Sequence, residues 1–209
     1  EKSSRSYTIS MNTIKLFLLV YIFSYLALIF FWRIYITWKK TGSNPIKYDA
    51  EDSAHNFIGK IFIMLLGFSI GTALIYIFFE EFYNLLIPIN SLELPFLSIF
   101  GFIISWLSLL WVFVGQSQMG ADWRIGVDKD KKIKIINKGI FGFSRHPIYL
   151  GVITTSFSLF LIMPNIINLF LFITTSLILN IQARLEEEYL LQKKKKEYTE
   201  YKSKTPRWL

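Results

Sequence analysis

Cysteine is absent from this chain of 209 residues, and histidine occurs only twice. The lack of cysteine excludes disulfides, thiolate metal ligands and a cysteine nucleophile, and it leaves the redox compartment open. Two histidines, His55 and His146, do not make a usual zinc site by themselves, so no metal is expected. No Gly-x-Gly-x-x-Gly sequence follows a strand pattern, which argues against a soluble dinucleotide-binding fold.

Charged side chains are also sparse: they make up 18% of the chain, against 53% hydrophobic and 18% aromatic residues. The formal net charge is +8, and the lysines and arginines gather in three stretches that flank apolar runs, at 39–60, 124–145 and 184–207. A basic excess often indicates nucleic-acid binding, but basic residues beside apolar runs indicate contact with anionic lipid headgroups. We therefore expect membrane lipids as partners and no nucleic acid.

Long apolar runs dominate what the chain does contain. About 20 apolar residues span a hydrocarbon core of about 30 Å, and the runs at 14–32, 58–79 and 95–114 each fit one span. The run 148–181 would be about 50 Å long as one helix, at roughly 1.5 Å per residue. A hairpin that turns at 163–165 fits better, because this turn contains Pro-Asn. The sequence thus predicts an all-α integral membrane protein with about five transmembrane helices, including a C-terminal helical hairpin.

The predicted spans divide the chain into two regions. Residues 1–115 hold three transmembrane helices; in the second, Gly67 and Gly71 share one helix face, which permits close helix packing. Residues 116–209 hold a polar connection that cannot lie in lipid, then the hairpin, and then a charged helix to about Tyr201. The positive-inside rule places this polar connection and the C-terminus in the cytoplasm. The membrane is expected to be a bacterial inner membrane or the endoplasmic reticulum, and the oligomeric state is not indicated.

A polar motif stands where the polar connection enters the hairpin, in the sequence Gly-Ile-Phe-Gly-Phe-Ser-Arg-His-Pro-Ile-Tyr-Leu-Gly at 139–151. One interpretation is an interfacial anchor, in which Arg145 snorkels, Tyr149 joins the aromatic belt and Pro147 starts the helix. The other is an anion site, because free N–H groups at a helix N-terminus, together with Arg145 and His146, favour a group such as a carboxylate.

A second motif, Arg-Leu-Glu-Glu-Glu at 184–188, lies at the end of the last span. Consecutive carboxylates at a membrane boundary are costly unless they face water or partners. Arg184 and Glu188 are one helical turn apart, and a solvated pair of this kind contributes only about 0.3 to 0.5 kcal/mol. The functional interpretation is that a carboxylate here receives a cationic ligand group.

Together the two motifs carry a family resemblance. The pattern Arg-His-Pro-x-Tyr-x-Gly, an apolar hairpin, Arg-x-Glu-Glu-Glu and a tail of the kind Tyr-x-x-Tyr…Pro-Arg resembles the isoprenylcysteine carboxyl methyltransferase family and the related phospholipid methyltransferases. The resemblance covers about 119–208. It implies a cytoplasmic site for S-adenosylmethionine as the cofactor of an integral membrane methyltransferase.

The resemblance also implies roles for individual residues. His146, Tyr149 and Glu188 correspond to side chains that hold the cofactor, with Glu188 suited to its ammonium group, and Pro147 and Ile148 supply backbone and packing. Arg145, together with His146, suits the cofactor carboxylate. Phe141 replaces a common tyrosine, and Ile135 and Ile136 belong to the segment 133–136 that lines the cofactor. Arg184 orients the acceptor.

The function implied is direct methyl transfer from S-adenosylmethionine to a lipid-like or prenylated acceptor that enters from the bilayer. A carboxylate acceptor of the isoprenylcysteine type is favoured. Three alternatives stay open: a phospholipid amine N-methyltransferase, an NADPH-dependent enzyme like the membrane sterol reductases, and a non-catalytic membrane scaffold.

Overall fold

The computed structural model describes residues 2–42, 54–120 and 135–209. Within these ranges every named element is helical, and the β-type pairing is an isolated bridge between Pro88 and Asn165. The predicted fold class, an all-α integral membrane protein, is confirmed. Four helices in the described ranges are long and apolar enough to cross a membrane, and a shorter apolar helix accompanies them.

The N-terminal region begins with two of the long helices. Helix α1 (Lys2–Tyr25) runs through a π-helical segment (Leu26–Phe31) into α2 (Trp32–Thr41), which makes one rod longer than the predicted span. Helix α3 (Ala54–Phe78) is the second span. The short helix α4 and two 3₁₀ turns then lead to the third span; their bounds are Glu80–Tyr83, Asn84–Leu86 and Asn90–Leu92.

Helix α5 (Pro95–Met119) is the third span, at the end of the N-terminal region. The C-terminal region contains the predicted hairpin, whose two arms are α6 (Pro147–Ile162) and α7 (Ile166–Lys193). Helix α8 (Lys195–Lys204) follows α7 directly.

The hairpin turns at 163–165, as predicted. The Asn165 side chain caps α7 by accepting a hydrogen bond from the Asn168 amide at 2.8 Å. The side-chain amides of Asn165 and Asn168 both donate to the Met163 carbonyl, at 3.0 and 2.9 Å. These bonds satisfy backbone groups that would otherwise be unpaired at the turn.

Helices α5 and α6 form the most extensive helix pair of the bundle. A Cβ atom added at Gly101 would lie 2.8 Å from Ile162 Cγ1, and one added at Gly115 would lie 2.9 Å from Ile148 Cγ1. Gly151 of α6 lies against Val112 in the same way. Small residues therefore let the two helices approach closely, as is common between membrane helices.

The close packing that Gly67 and Gly71 would permit is not formed with any described residue. A Cβ atom at either position would have no described atom within 4 Å. The two glycines do share a helix face, but that face of α3 is not packed tightly against a neighbour. Spacing alone identifies a face and does not identify what covers it.

Ion pairs and hydrogen bonds distinguish the two ends of the bundle. At one end Lys15 of α1 pairs with Glu80 of α4 at 2.8 Å. At the other end the Arg33 side chain donates to the Gly120 carbonyl, and the C-terminal tail contacts the segment before α6. We call this second end the polar end. The prediction that the connection before α6 and the C-terminus share one side is confirmed for the part of that connection that the structure describes.

Candidate functional site

The first motif is held in place by α5. The motif begins with a 3₁₀ turn (Gly139–Gly142), in which the Ile140 amide donates to Gln118 Oε1 at 3.0 Å. Gly139 has a φ of 62°, a left-handed conformation that favours glycine. Pro147 occupies the first turn of α6, where its missing N–H costs nothing. The Pro147 carbonyl accepts a hydrogen bond from Trp111 Nε1 at 2.9 Å, so the start of α6 is fixed to α5.

Glu187 is the centre of a buried charge cluster at the polar end, and its side chain is only 4% exposed. Arg145 donates to Glu187 Oε1 from Nε and Nη2, at 3.3 and 3.0 Å. Arg207 donates from Nε to Oε1 at 2.8 Å and from Nη2 to Oε2 at 3.0 Å. His146 Nε2 lies 3.3 Å from Oε1, and Lys202 Nζ lies 3.9 Å from Oε2. A buried carboxylate is tolerated in such a place because these donors compensate it.

Glu186 forms the second, more open half of the cluster. Its Oε1 accepts a hydrogen bond from the Tyr149 hydroxyl and another from Gln182 Nε2 at 3.2 Å. His146 Nδ1 lies 3.6 Å from Oε2. The rings of His146 and Tyr149 stack, with an interplanar angle of 3° and centroids 5.5 Å apart. His146 therefore stands between the two carboxylates, with one ring nitrogen toward each.

The C-terminal tail completes the cluster from a distant part of the sequence. The Arg145 amide donates to the Pro206 carbonyl at 3.0 Å, and Ser144 Oγ donates to the Arg207 carbonyl at the same distance. The Trp208 ring lies 6.1 Å from that of His146, at 52°. Hydrogen bonding to the Glu187 carboxylate raises the pKa of the Arg207 guanidinium.

The remaining residues predicted for the cofactor site are Ile148, Phe141, Ile135 and Ile136. Ile148 packs against Gly115 of α5. Phe141 is buried, and its carbonyl accepts a hydrogen bond from the Tyr201 hydroxyl at 2.6 Å. Ile135 and Ile136 are half-buried at the start of the last described range, and Ile135 lines an open groove of about 440 Å³ beside α8.

The two ends of the second motif do not join the cluster. Arg184 and Glu188 are exposed, whereas Glu187 is buried and Glu186 faces Tyr149. At about 3.6 residues per turn, side chains two positions apart point in roughly opposite directions. Arg184 and Glu188 therefore both point away from Glu186, on the stripe of α7 that also exposes Leu177 and Ile181. Among the described residues no ion pair joins Arg184 to Glu188.

Six residues of the cluster were not predicted as site residues from the sequence: Gln182, Glu186, Glu187, Lys202, Arg207 and Trp208. The triple glutamate was recognised, but its helical phase was not. Arg207 belongs to the Pro-Arg step of the tail, which was noted as part of a pattern without a role. No group of three or more His, Asp or Glu side chains in the described ranges is arranged to hold a metal ion.

Comparisons with known proteins agree with the resemblance seen in the sequence. Residues 96–197 match the family model of the phospholipid methyltransferases. The chain is also 28% identical over 182 residues to protein-S-isoprenylcysteine O-methyltransferase of Saccharomyces cerevisiae, which covers 86% of this chain and 74% of the yeast protein. The matched region of the family model contains both motifs. The resemblance to this group of integral membrane methyltransferases is confirmed, and both comparisons support a membrane methyltransferase.

Proposed function

We propose that the chain uses S-adenosylmethionine to methylate a lipid-like or prenylated acceptor that reaches the polar end from the bilayer. The observation that carries this proposal is the stacked pair of His146 and Tyr149, which faces the accessible carboxylate of Glu186. The pair lies inside the segment that matches the family model.

The cluster fits the cofactor in its charges and its accessibility. The Glu186 side chain is 34% exposed, and its described hydrogen-bond donors, Tyr149 and Gln182, are neutral. A carboxylate held in this way keeps acceptor capacity and negative charge for an ammonium group. Because Glu188 points away from the cluster, the role predicted for it passes to Glu186 in this proposal.

When bound, S-adenosylmethionine would supply a methyl group activated by a sulfonium. The chain's own contribution is to bind and align the reactants, and alignment alone can lower a barrier by about 7 to 11 kcal/mol. Glu186 would fix the amino-acid end of the cofactor, the rings of His146 and Tyr149 would limit how it turns, and the buried pairs of Glu187 would keep those rings in position.

An apolar groove supports an acceptor from the bilayer. It opens between α1, α3, α6 and α7, and its lining includes Val152, Thr155 and Ser156 of α6. Val152 is one helical turn from Tyr149, so a chain lying in the groove would lead toward the cluster. The relatives differ in what they suggest for the reacting group, since the yeast protein is named for isoprenylcysteine and the family model for phospholipids.

We favour a carboxylate as the reacting group. A carboxylate attacks as it stands, whereas an ammonium must first lose a proton to a general base. His146 is engaged by Glu186 and Glu187, and Glu186 is assigned to the cofactor ammonium, so this proposal leaves neither group to serve as that base. Arg184, on the exposed stripe of α7, is suited to attract an anionic acceptor at the membrane surface.

The test is a set of titrations of the purified protein. S-adenosylhomocysteine should bind by calorimetry and NADPH should not, which separates the methyltransferase from a reductase and from a scaffold. Transfer of labelled methyl should then be measured to N-acetyl-S-farnesylcysteine and to phosphatidylethanolamine. Transfer to the first supports a carboxylate acceptor, and transfer to the second alone would establish the N-methyltransferase instead.

A matched pair of variants tests the assignment of the carboxylate. Glu186→Gln removes the charge with little change of shape, and losing a charged hydrogen bond typically costs about 1.5 to 3 kcal/mol. The affinity for S-adenosylhomocysteine should therefore fall by roughly ten- to a hundredfold. Glu188→Gln makes the same chemical change on the exposed face and should leave the affinity unchanged. A loss confined to Glu188→Gln would return the role to Glu188.

A further inference from the structure

Two arginines compensate Glu187, and they differ in how much of their hydrogen-bonding capacity is used. Every guanidinium nitrogen of Arg145 donates: Nε and Nη2 to Glu187, and Nη1 to the carbonyls of Thr205 and Lys202, at 2.7 and 3.3 Å. Its side chain is only 7% exposed. Arg145 is thus enclosed, and four of its five N–H donors are already engaged.

Arg207 is in the opposite condition. Its Nε and Nη2 donate to Glu187, whereas Nη1 has no hydrogen-bond partner among the described residues. Its side chain is 24% exposed. The bidentate contact holds the guanidinium plane rigidly, and the remaining donors point in a direction fixed by that plane.

We propose that Arg207, rather than Arg145, receives the carboxylate of the cofactor's amino-acid end. The proposal rests on the proposed function, and it names a residue beyond the segment that the family model matches. The backbone of Arg207 is fixed by the Ser144 hydroxyl, and its side chain by Glu187. The tail therefore supplies a positioned cation at low cost in side-chain entropy when a ligand binds.

The position of Glu186 agrees with this assignment. Glu186 and Glu187 lie on either side of the His146 ring, and Arg207 is attached to the Glu187 side. A negative group and a positive group thus flank one imidazole. A zwitterionic amino-acid end requires such an arrangement, with its ammonium toward Glu186 and its carboxylate toward Arg207.

The experiment compares two ligands in one variant. S-adenosylhomocysteine carries the carboxylate, and decarboxylated S-adenosylhomocysteine lacks only that group. In Arg207→Gln the affinity for the first should fall by about ten- to a hundredfold, since a charged hydrogen bond is lost. The affinity for the second should stay within about twofold, which also shows that the variant is folded. Arg207→Lys should recover part of the loss, because it keeps the charge without the fork of donors.

The control is Lys196→Gln, which removes the same charge from an exposed position of α8 and should change neither affinity. Equal losses for both ligands in Arg207→Gln would show that Arg207 only supports the structure and would overturn the proposal. Unchanged binding of S-adenosylhomocysteine would overturn it as well. Failure of the wild-type protein to bind S-adenosylhomocysteine would refute the proposed function itself, an outcome distinct from the other two.

Discussion

The substitution Glu187→Gln tests the buried charge cluster at the polar end of the bundle. Glutamine has nearly the same shape as glutamate and removes only the charge. In the native chain this carboxylate accepts two hydrogen bonds from Arg145 and two from Arg207, and it is 4% exposed. In the variant, both guanidinium groups would face a neutral amide that has one acceptor oxygen in place of two. The Arg145 side chain is only 7% exposed, so little water can solvate its uncompensated charge.

The expected cost follows from this burial. Removing one partner of a buried ion pair costs about 3 to 5 kcal/mol, because an uncompensated charge is left behind. For a chain of about this size, each kcal/mol shifts the melting temperature by roughly 2 to 4 °C. The melting temperature of Glu187→Gln should therefore fall by roughly 6 to 20 °C. The lower part of that range applies if the glutamine oxygen keeps one of the arginine contacts.

The assay is thermal unfolding in detergent micelles, followed by tryptophan fluorescence. Glu188→Gln is the matched control, because it makes the same change one residue later on the exposed face of α7. Exposed substitutions usually lie within about 0.5 kcal/mol, so its melting temperature should move by no more than about 2 °C. Equal shifts in the two variants would refute the assignment of Glu187 as the buried partner.

Three further predictions concern packing, the tail and topology. Gly151→Ala forces a methyl group into the contact between α5 and α6 and should cost about 1 to 3 kcal/mol, whereas Gly67→Ala meets no atom and should leave the melting temperature unchanged or higher. Tyr201→Phe removes a buried hydrogen bond and should lower stability by about 1 to 3 kcal/mol in the same assay. Ser117→Cys and Ser203→Cys, labelled with an impermeant thiol reagent in sealed, oriented vesicles, should react from the same side, the cytoplasmic one; opposite accessibility would contradict the five-span topology.

The fold was largely predictable because its main determinants are local. The length of an apolar run decides whether a helix can span, and Pro164 with Asn165 decides where the last run must turn. Helix contacts are not local in this sense. The Gly67–Gly71 pair has the same spacing as many packing motifs, yet the close contacts form at Gly115 and Gly151, because these two glycines lie where α5 and α6 meet. The sequence does not state which faces become neighbours.

The candidate site was predictable in its residue types and not in its geometry. Pro147 marks the start of helix α6 in the sequence, with Arg145 and His146 directly before it and Tyr149 in the first turn after it. The choice among the three glutamates depends on the rotational phase of α7. A helix that is apolar on both its core face and its lipid face has no amphipathic pattern that would show this phase. Only the structure, in which α7 packs against α6, therefore shows that Glu186 and Glu187 are the glutamates of the cluster.

The contribution of Arg207 was hidden for another reason: the tail returns to the first motif across about sixty residues, and loop contacts of that range leave no local pattern. Stability alone does not explain why such a cluster is built, since well-packed apolar residues often replace a buried ion pair without loss. The double variant Glu187→Gln with Arg207→Gln separates the two explanations. It removes one carboxylate charge and one guanidinium charge together. Its melting temperature should therefore be higher than that of the single variant Glu187→Gln. If Arg207 holds a ligand carboxylate, the affinity for S-adenosylhomocysteine should stay low in the same protein. Recovery of both quantities would mean that the tail serves the fold and not the ligand.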